Sequence, residues 1–241
     1  MLKKGEGIIL SITKHNDKSS VVNIYSLQQG GIATLVYLGK RGKSAIKNSL
    51  LQPLTIIDYE YRESENSNRL EHISNIRNLY PYRDIPFNPG KRGVVLFLSE
   101  FLTYALKNEE MNPTLFTELR ERLLWFDKSQ NFANFHISLI INVAKHIGVM
   151  PSSEGYKQGY LLDLMEGEYI YPEPSHTHYI GRDSTYKLVS IMELPLDRIA
   201  ETPLTHGERL EILRAMTELF RLHTPIFPKL KSIDILEELF S

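Results

Sequence analysis

The sequence predicts an α+β protein, with a small N-terminal β-barrel followed by a helical domain. Two observations lead to this class. The first 80 residues contain short segments rich in β-branched and aromatic residues, with turn signals between them. From residue 91 onward, apolar residues recur at the 3.6-residue period of helices. The proline-rich stretch 81–90 separates the two patterns and is predicted to be an extended linker.

The predicted strands, within residues 1–80, suit a small closed barrel with a short helical turn after the third strand. The OB-fold is such a barrel, and it commonly binds single-stranded nucleic acid or oligosaccharides. The strands are predicted at Ile8–Leu10, Val21–Tyr25, Ile32–Tyr37, Leu54–Tyr59 and Leu70–Leu79.

The helical domain, 91–241, is predicted to contain four longer helices and a short C-terminal one. Asn112-Pro113 marks one helix start, because asparagine caps helices and proline is favoured in the first turn. Thr205 and Glu208 have the spacing of a capping box. The apolar stripes of the helices cover Val94–Ala105, Leu115–Phe126, Phe132–Ile147, Leu210–Phe220 and Ser232–Phe240.

Residues 149–204 do not follow the helical pattern. They are rich in Gly, Pro and Tyr, and they contain strand-like pieces at Glu168–Tyr171 and Lys187–Val189. The sequence therefore predicts an irregular, loop-rich region inserted between the third and fourth helices.

Composition places the chain among ordinary globular proteins of a reducing compartment. The chain has 241 residues and no cysteine, which excludes disulfides and thiolate zinc sites. No segment has the length and apolar character of a membrane span or of a signal-peptide core. We therefore expect a cytoplasmic protein without a membrane partner.

The charge is unevenly distributed along the chain. The formal net charge is −1, but residues 1–57 hold eight basic and two acidic side chains, a balance of +6 that leaves −7 for residues 58–241. A basic segment on an otherwise acidic chain indicates a local site for a polyanion. The alternative is that these lysines only solvate turns and strand faces.

The basic segment LGKRGKS, residues 38–44, ends like a nucleotide-binding P-loop. That motif needs a glycine five positions before its second glycine, and here Tyr37 stands five positions before Gly42. A tyrosine side chain would fill the space where backbone N–H groups surround the phosphates. The remaining interpretations are a solvated basic turn and a loop that binds backbone phosphates.

Single-strand binding by an OB-fold pairs cations along the phosphate backbone with aromatic rings on which bases stack. The candidate cations lie in the segment after the third strand and in the first hairpin turn: Lys40, Arg41, Lys43, Lys47, Lys14 and Lys18. The candidate rings are Tyr25, Tyr37 and Tyr59. Each ring could equally fill the barrel interior.

Metal and catalytic chemistry have weaker support. His176 and His178 alternate as they would on one strand face, with Asp163, Glu166 and His206 as possible third ligands. No second His or Cys pair lies at zinc-finger spacing, and no nucleophile-elbow motif is present. We therefore predict neither a metal site nor an enzyme.

Three motifs, in this order, resemble one known family. They are Gly7–Leu10 with the basic stretch Gly39–Ser44, then Leu50–Leu54 with its Leu-Gln-Pro, and finally Leu230-Lys231-Ser232. The chain resembles the RecO family of bacterial DNA repair and recombination mediators, and the order of OB-fold and helical domain agrees over nearly the whole chain.

The resemblance implies a non-enzymatic protein that binds single- and double-stranded DNA and anneals complementary strands. Its implied partners are RecR, the C-terminal tail of single-strand binding protein and, indirectly, the recombinase RecA. It implies a nucleoid-associated protein whose DNA-binding surface maps to Lys40, Arg41 and Lys43. Lys91 and Arg92 would extend that surface. A protein-interaction adaptor that binds no DNA remains the alternative.

The chain departs from the family in one respect. Many relatives carry a four-cysteine zinc module after the third long helix, and residues 149–180 occupy that place here without any cysteine. We expect no cofactor, and a module held by apolar packing of Tyr160, Leu161, Leu164, Tyr169 and Ile170. His176 and His178 would be remnants of a site, since two ligands do not hold a structural zinc.

Overall fold

The structure, a computed structural model, describes residues 2–37, 50–62 and 71–239. The chain divides into two compact units, Met1–Lys128 and Ser129–Ser241. The sequence instead predicts a linker at 81–90, and that boundary stays a prediction. The first two helices belong to the same compact unit as the barrel.

The described part of the N-terminal unit contains a closed barrel of five strands. The strands are β1 Leu2–Asn16, β2 Ser19–Ser26, β3 Gly30–Tyr37, β4 Ile56–Arg62 and β5 Glu71–Asn78. Neighbouring strands run antiparallel except β3 and β5, which are parallel, and the order around the barrel is β1-β2-β3-β5-β4. The predicted α+β class with an N-terminal OB barrel is confirmed.

The long first strand closes the barrel. Its N-terminal half pairs with β4, and its register with β2 shifts between Ile9 and Ser11. Such irregularities bend a strand and increase its twist, which lets one strand serve two neighbours.

The barrel interior is apolar and is fitted around one tyrosine. Tyr59 is 1% exposed, and its hydroxyl donates to the Ser26 Oγ at 2.7 Å. A Cβ on Gly5 would lie 2.6 Å from the Tyr59 ring, so glycine is required there by close approach. The residues packed around it include Ile9, Val22, Ile24, Val36, Ile57, Tyr61, Ile73 and Ile76.

Two helices, α1 Pro89–Ala105 and α2 Pro113–Lys128, pack on the barrel within the N-terminal unit. The Ser99 hydroxyl of α1 donates to the Leu10 carbonyl oxygen of β1 at 2.5 Å. The Gly31 N–H of β3 donates to the Glu109 carbonyl oxygen at 2.8 Å, in the connection between the helices. Helix α1 therefore contacts β1, and the connection between the two helices contacts the start of β3.

The C-terminal unit combines helices with a small three-stranded sheet. Its helices are α3 Phe135–His146, α4 Arg182–Met192, α5 Leu196–Glu201, α6 His206–His223 and α7 Ser232–Leu239. Its strands are β6 Leu161–Asp163, β7 Glu168–Ile170 and β8 Tyr179–Ile180, and their order in the sheet is β7-β6-β8. The predicted capping box at Thr205 and Glu208 is confirmed at the start of α6.

The predicted strand-like piece at Lys187–Val189 is wrong, because these residues lie in α4. Leu188, Ile191 and Met192 are buried at helical spacing, together with Ser184 and Thr185 one turn earlier. Two small hydroxyl residues on the buried face hide the helical stripe from a reading based on large apolar residues. The region 149–204 therefore contains regular elements as well as loops.

No helix in the described part of the chain has the length and apolar character needed to cross a membrane.

Candidate nucleic-acid interface

The strand register brings two predicted DNA-binding segments to the same end of the barrel. Ser19 of β2 pairs with Asn16 of β1 on one side and with Tyr37 of β3 on the other. The β1–β2 turn and Tyr37, the last residue of β3, therefore lie at the same end of the barrel. Tyr37 is one strand spacing from Ser19 and two from Asn16. Loops at the barrel ends are where OB-folds bind oligonucleotides.

The β1–β2 turn presents two lysines to solvent. Lys14 and Lys18 are exposed, and the Lys14 Nζ lies 2.8 Å from the Asp17 Oδ1. Both side chains of that pair are largely exposed, at 71% and 93%, so the pair contributes little to stability and a phosphate can compete with it. The Asn16 Oδ1 accepts the Lys18 N–H at 2.9 Å, which tightens the turn.

The three candidate stacking tyrosines have different environments. Tyr37 is 58% exposed, at the end of β3. Tyr25 and Tyr59 are buried, at 0% and 1%, so neither ring face is open to a base. Tyr25 packs against Phe116 of α2, with ring centroids 6.3 Å apart, and burial raises its pKa to about 12. For Tyr25 and Tyr59 the stacking hypothesis is therefore corrected, and packing against the core is what the structure shows.

The central cations of the predicted site, Lys40, Arg41, Lys43 and Lys47, lie outside the described residues. In the sequence they follow Tyr37, the last residue of β3. Their role in binding phosphates stays a prediction.

Lys91 is not a surface cation, which corrects its assignment to the DNA-binding surface. Its side chain is fully buried, and its Nζ lies 2.8 Å from the Asp84 Oδ2. It also donates to the Asp127 carbonyl oxygen at 3.0 Å and lies 5.5 Å from the centroid of the Phe126 ring. The neighbouring Arg92 is exposed and stays available as an extension of the surface.

Asp127 explains why a lysine is buried at this place. Its carboxylate accepts the backbone N–H groups of Arg83, Asp84 and Ile85 at 2.8–3.0 Å. Burial alone would raise the pKa of this carboxyl, but those hydrogen bonds and the Lys91 ammonium outweigh it and lower the pKa below its ordinary value. The Lys91 ammonium therefore helps to fix the 83–85 segment against the end of α2.

The histidines proposed as remnants of a metal site do not share a ligand position. The His176 Nε2 lies 3.1 Å from the Asp163 Oδ2, whereas the His178 Nδ1 lies 2.9 Å from the Glu218 Oε1 of α6. Among the described residues, no group of three or more His, Cys, Asp or Glu side chains is placed to hold a metal. This donor set does not fit the family's zinc. Glu166 is exposed, and His206 begins α6.

The C-terminal unit contains an open groove of about 510 Å³ between α6 and α7. Leu230 and Ile233 contribute apolar surface to it. The basic side chains on its walls are matched by as many acidic ones: Arg214, Arg221 and Lys229 against Glu218, Asp234 and Glu237. The groove is therefore balanced in charge rather than basic.

Comparison with known proteins agrees with the architecture. Residues 1–82 match the family model described as recombination protein O N terminal, and residues 88–154 match recombination protein O C terminal. The second match ends at residue 154, within the region 149–204 that lies between α3 and α6.

Several relatives carry the name DNA repair protein RecO. Those of Phocaeicola vulgatus and Bacteroides fragilis are each 34% identical to this chain and cover 100% of it and of their own length. The protein of Flavobacterium johnsoniae is 29% identical over 99% of both chains. With two family models and full-length relatives in agreement, this chain belongs to the RecO family of DNA repair proteins.

Proposed function

We propose that this chain binds DNA without sequence preference, anneals complementary strands and helps to load a recombinase onto DNA coated by single-strand binding protein. The observation that carries the proposal is that the exposed Lys14, Lys18 and Tyr37 lie at the same end of the barrel. In the sequence, the basic residues of segment 40–47 follow Tyr37. This arrangement supplies the two requirements of single-strand binding, cations and an exposed ring.

The proposed mechanism is electrostatic. Each lysine or arginine that neutralises a backbone phosphate releases condensed counterions, which favours binding at low salt. Phosphate contacts carry no sequence information, so binding is the same for different sequences. Two strands held by their backbones keep their base edges free, and annealing follows when these edges meet.

The proposed partners follow from the family. They are single- and double-stranded DNA, RecR, the C-terminal tail of single-strand binding protein and, indirectly, RecA. We propose no catalytic step, no cofactor and no membrane partner, and we place the protein on chromosomal DNA in the cytoplasm.

The annealing proposal is tested by mixing complementary oligonucleotides that carry a donor and an acceptor dye. The purified chain should increase the annealing rate well above that of the free strands at low salt. A Lys40→Glu/Arg41→Glu/Lys43→Glu variant should lose most of the acceleration. No acceleration by the parent chain would refute the annealing step.

A protein-interaction adaptor is the second candidate, favoured by the balance of −7 on residues 58–241. In that case the barrel and the helices bind only proteins. The adaptor is supported if the parent has no DNA affinity and the charge-reversed variant still binds RecR at full strength.

A further inference from the structure

One surface of the C-terminal unit combines two cations with two aromatic rings. The Lys157 Nζ lies 5.8 Å from the centroid of the Tyr160 ring, and the Tyr160 and Tyr171 rings stack at 6.2 Å and 27°. The Arg182 guanidinium lies 5.3 Å from the centroid of the Tyr171 ring. We call these four side chains, Lys157, Tyr160, Tyr171 and Arg182, the tyrosine ladder.

The ladder lies at the surface, although the module around it has a buried core of its own. Tyr171 is 65% exposed, and Lys157 and Arg182 are exposed as well. Tyr186, one helical turn after Arg182 in α4, is 60% exposed and therefore lies on the same side of that helix. The apolar side chains that pack the module are buried in β6 and just after it: Leu161, Leu162 and Leu164.

Exposed rings next to cations have the chemistry of a single-strand binding platform. A base stacks on an aromatic face whatever its identity, while neighbouring cations attract the phosphates. We propose that the tyrosine ladder is a second binding site for single-stranded nucleic acid, with Tyr171 as the stacking ring. The proposal rests on the DNA-binding function proposed above and adds a site outside the barrel.

The charges around the ladder define how this site differs from the barrel end. Asp183 is exposed directly after Arg182, and Glu173 lies two residues after Tyr171, where it accepts a hydrogen bond from the Tyr179 hydroxyl. These carboxylates oppose phosphates, so stacking rather than charge supplies most of the binding at this site. The site therefore selects unpaired bases, because a duplex hides their faces.

Arg182 also has a structural role, which decides the choice of variant. Its Nε donates to the Gly159 carbonyl oxygen at 2.9 Å and so fixes the loop before β6. Tyr171 is the better target because its ring is mostly outside the packed module. Tyr171→Ala removes the stacking face, and Tyr171→Phe keeps it. Comparing the two variants therefore separates the contribution of the ring from that of the hydroxyl group.

The test measures the affinity of the full chain for three fluorescent probes. They are an oligothymidine, an abasic strand of the same length with the same phosphates, and a duplex. Tyr171→Ala should weaken oligothymidine binding about five-fold or more, which is the low end of the loss for one stacked base. It should leave the abasic strand and the duplex unchanged, and Tyr171→Phe should bind all three like the parent.

Phe87→Ala, at a ring that is 80% exposed in the N-terminal unit, is the control for loss of an exposed aromatic side chain. Unchanged oligothymidine binding by Tyr171→Ala, with a parent that binds normally, overturns the ladder and leaves the barrel site intact. An equal loss on all three probes also overturns it, since the ring would then act through the fold. A parent that binds no probe refutes the proposed DNA-binding function itself.

Discussion

Replacing Lys91 with methionine should destabilise the N-terminal unit and leave its DNA affinity unchanged. The substitution keeps much of the buried volume but removes the ammonium, which lies 2.8 Å from the Asp84 Oδ2 and donates to the Asp127 carbonyl oxygen at 3.0 Å. Breaking a buried pair by removing one partner costs about 3–5 kcal/mol. Asp84 is 37% exposed, so water solvates part of its freed charge.

We therefore expect a loss of stability below that range, about 2–3 kcal/mol. Most of this loss is the cost of leaving the buried Asp127 carbonyl oxygen without its donor. The assay is urea unfolding of the full chain, followed by the fluorescence of Trp125, which lies in α2 within this unit. Arg92→Met, an exposed change at the next residue, is the matched control and should stay within about 0.5 kcal/mol of the parent. The reasoning is refuted if Lys91→Met is as stable as the parent but binds oligonucleotides more weakly, because Lys91 would then be a DNA contact.

Three further predictions concern burial. Tyr59→Phe removes a buried hydroxyl that donates to the Ser26 Oγ at 2.7 Å. Thermal unfolding should therefore show a loss of stability of about 0.5–1.5 kcal/mol, and the oligonucleotide affinity should not change. Weaker binding by a stable Tyr59→Phe would contradict the interior position of this ring. A Cβ on Gly31 would collide with the Leu106 carbonyl oxygen. Gly31→Ala should therefore lower the free energy of unfolding, measured in urea, by about 1–3 kcal/mol. An unchanged stability would show that the barrel and the end of α1 are not in close contact. Burial, with a smaller effect of the Arg209 cation, lowers the pKa of His136 to about 3, so the unfolded chain binds this proton first as pH falls. The free energy of unfolding should therefore decrease below about pH 6.5, and this group contributes at most about 1.4 kcal/mol per pH unit. In a plot of the urea midpoint against pH, His136→Leu should flatten the part below that pH.

The sequence patterns predict the positions of the helices and strands better than they predict which face of each one is buried. The strands and the longer helices follow from local periodicity and caps, and the Thr205–Glu208 capping box is visible in four letters. Tyr25 shows the limit. It lies on the face of β2 opposite Ile24, and Phe116 of α2, about ninety residues away, covers that face. Alternation within β2 alone leaves both faces equally plausible.

The same limit applies to the charged residues of the site, because the sequence does not tell which of them are buried. Lys91 and Arg92 are adjacent and equally basic in the sequence, yet one is buried and the other exposed. The difference comes from Asp84 and from the carbonyl of Asp127, which only the fold brings to the Lys91 ammonium. The tyrosine ladder is a similar case, because Tyr160 and Tyr171 are spaced apart in a loop-rich region and meet across the β6–β7 pair. A high tyrosine content in residues 156–186 was the only signal for it.

The central claim is that the basic segment 40–47 binds backbone phosphates. Its most direct test is the salt dependence of oligonucleotide binding by the parent and by Lys40→Glu/Arg41→Glu/Lys43→Glu. A variant with the same change in net charge at exposed residues elsewhere is the control: Lys128→Glu/Arg198→Glu/Lys231→Glu.

For a single strand, log affinity falls against log salt with a slope of about −0.7 for each phosphate contacted. We predict that the segment variant binds more weakly at low salt, with a slope flatter by about 2, while the control variant keeps the parent's slope. Equal slopes for the parent and the segment variant would contradict the claim and assign phosphate binding to another surface.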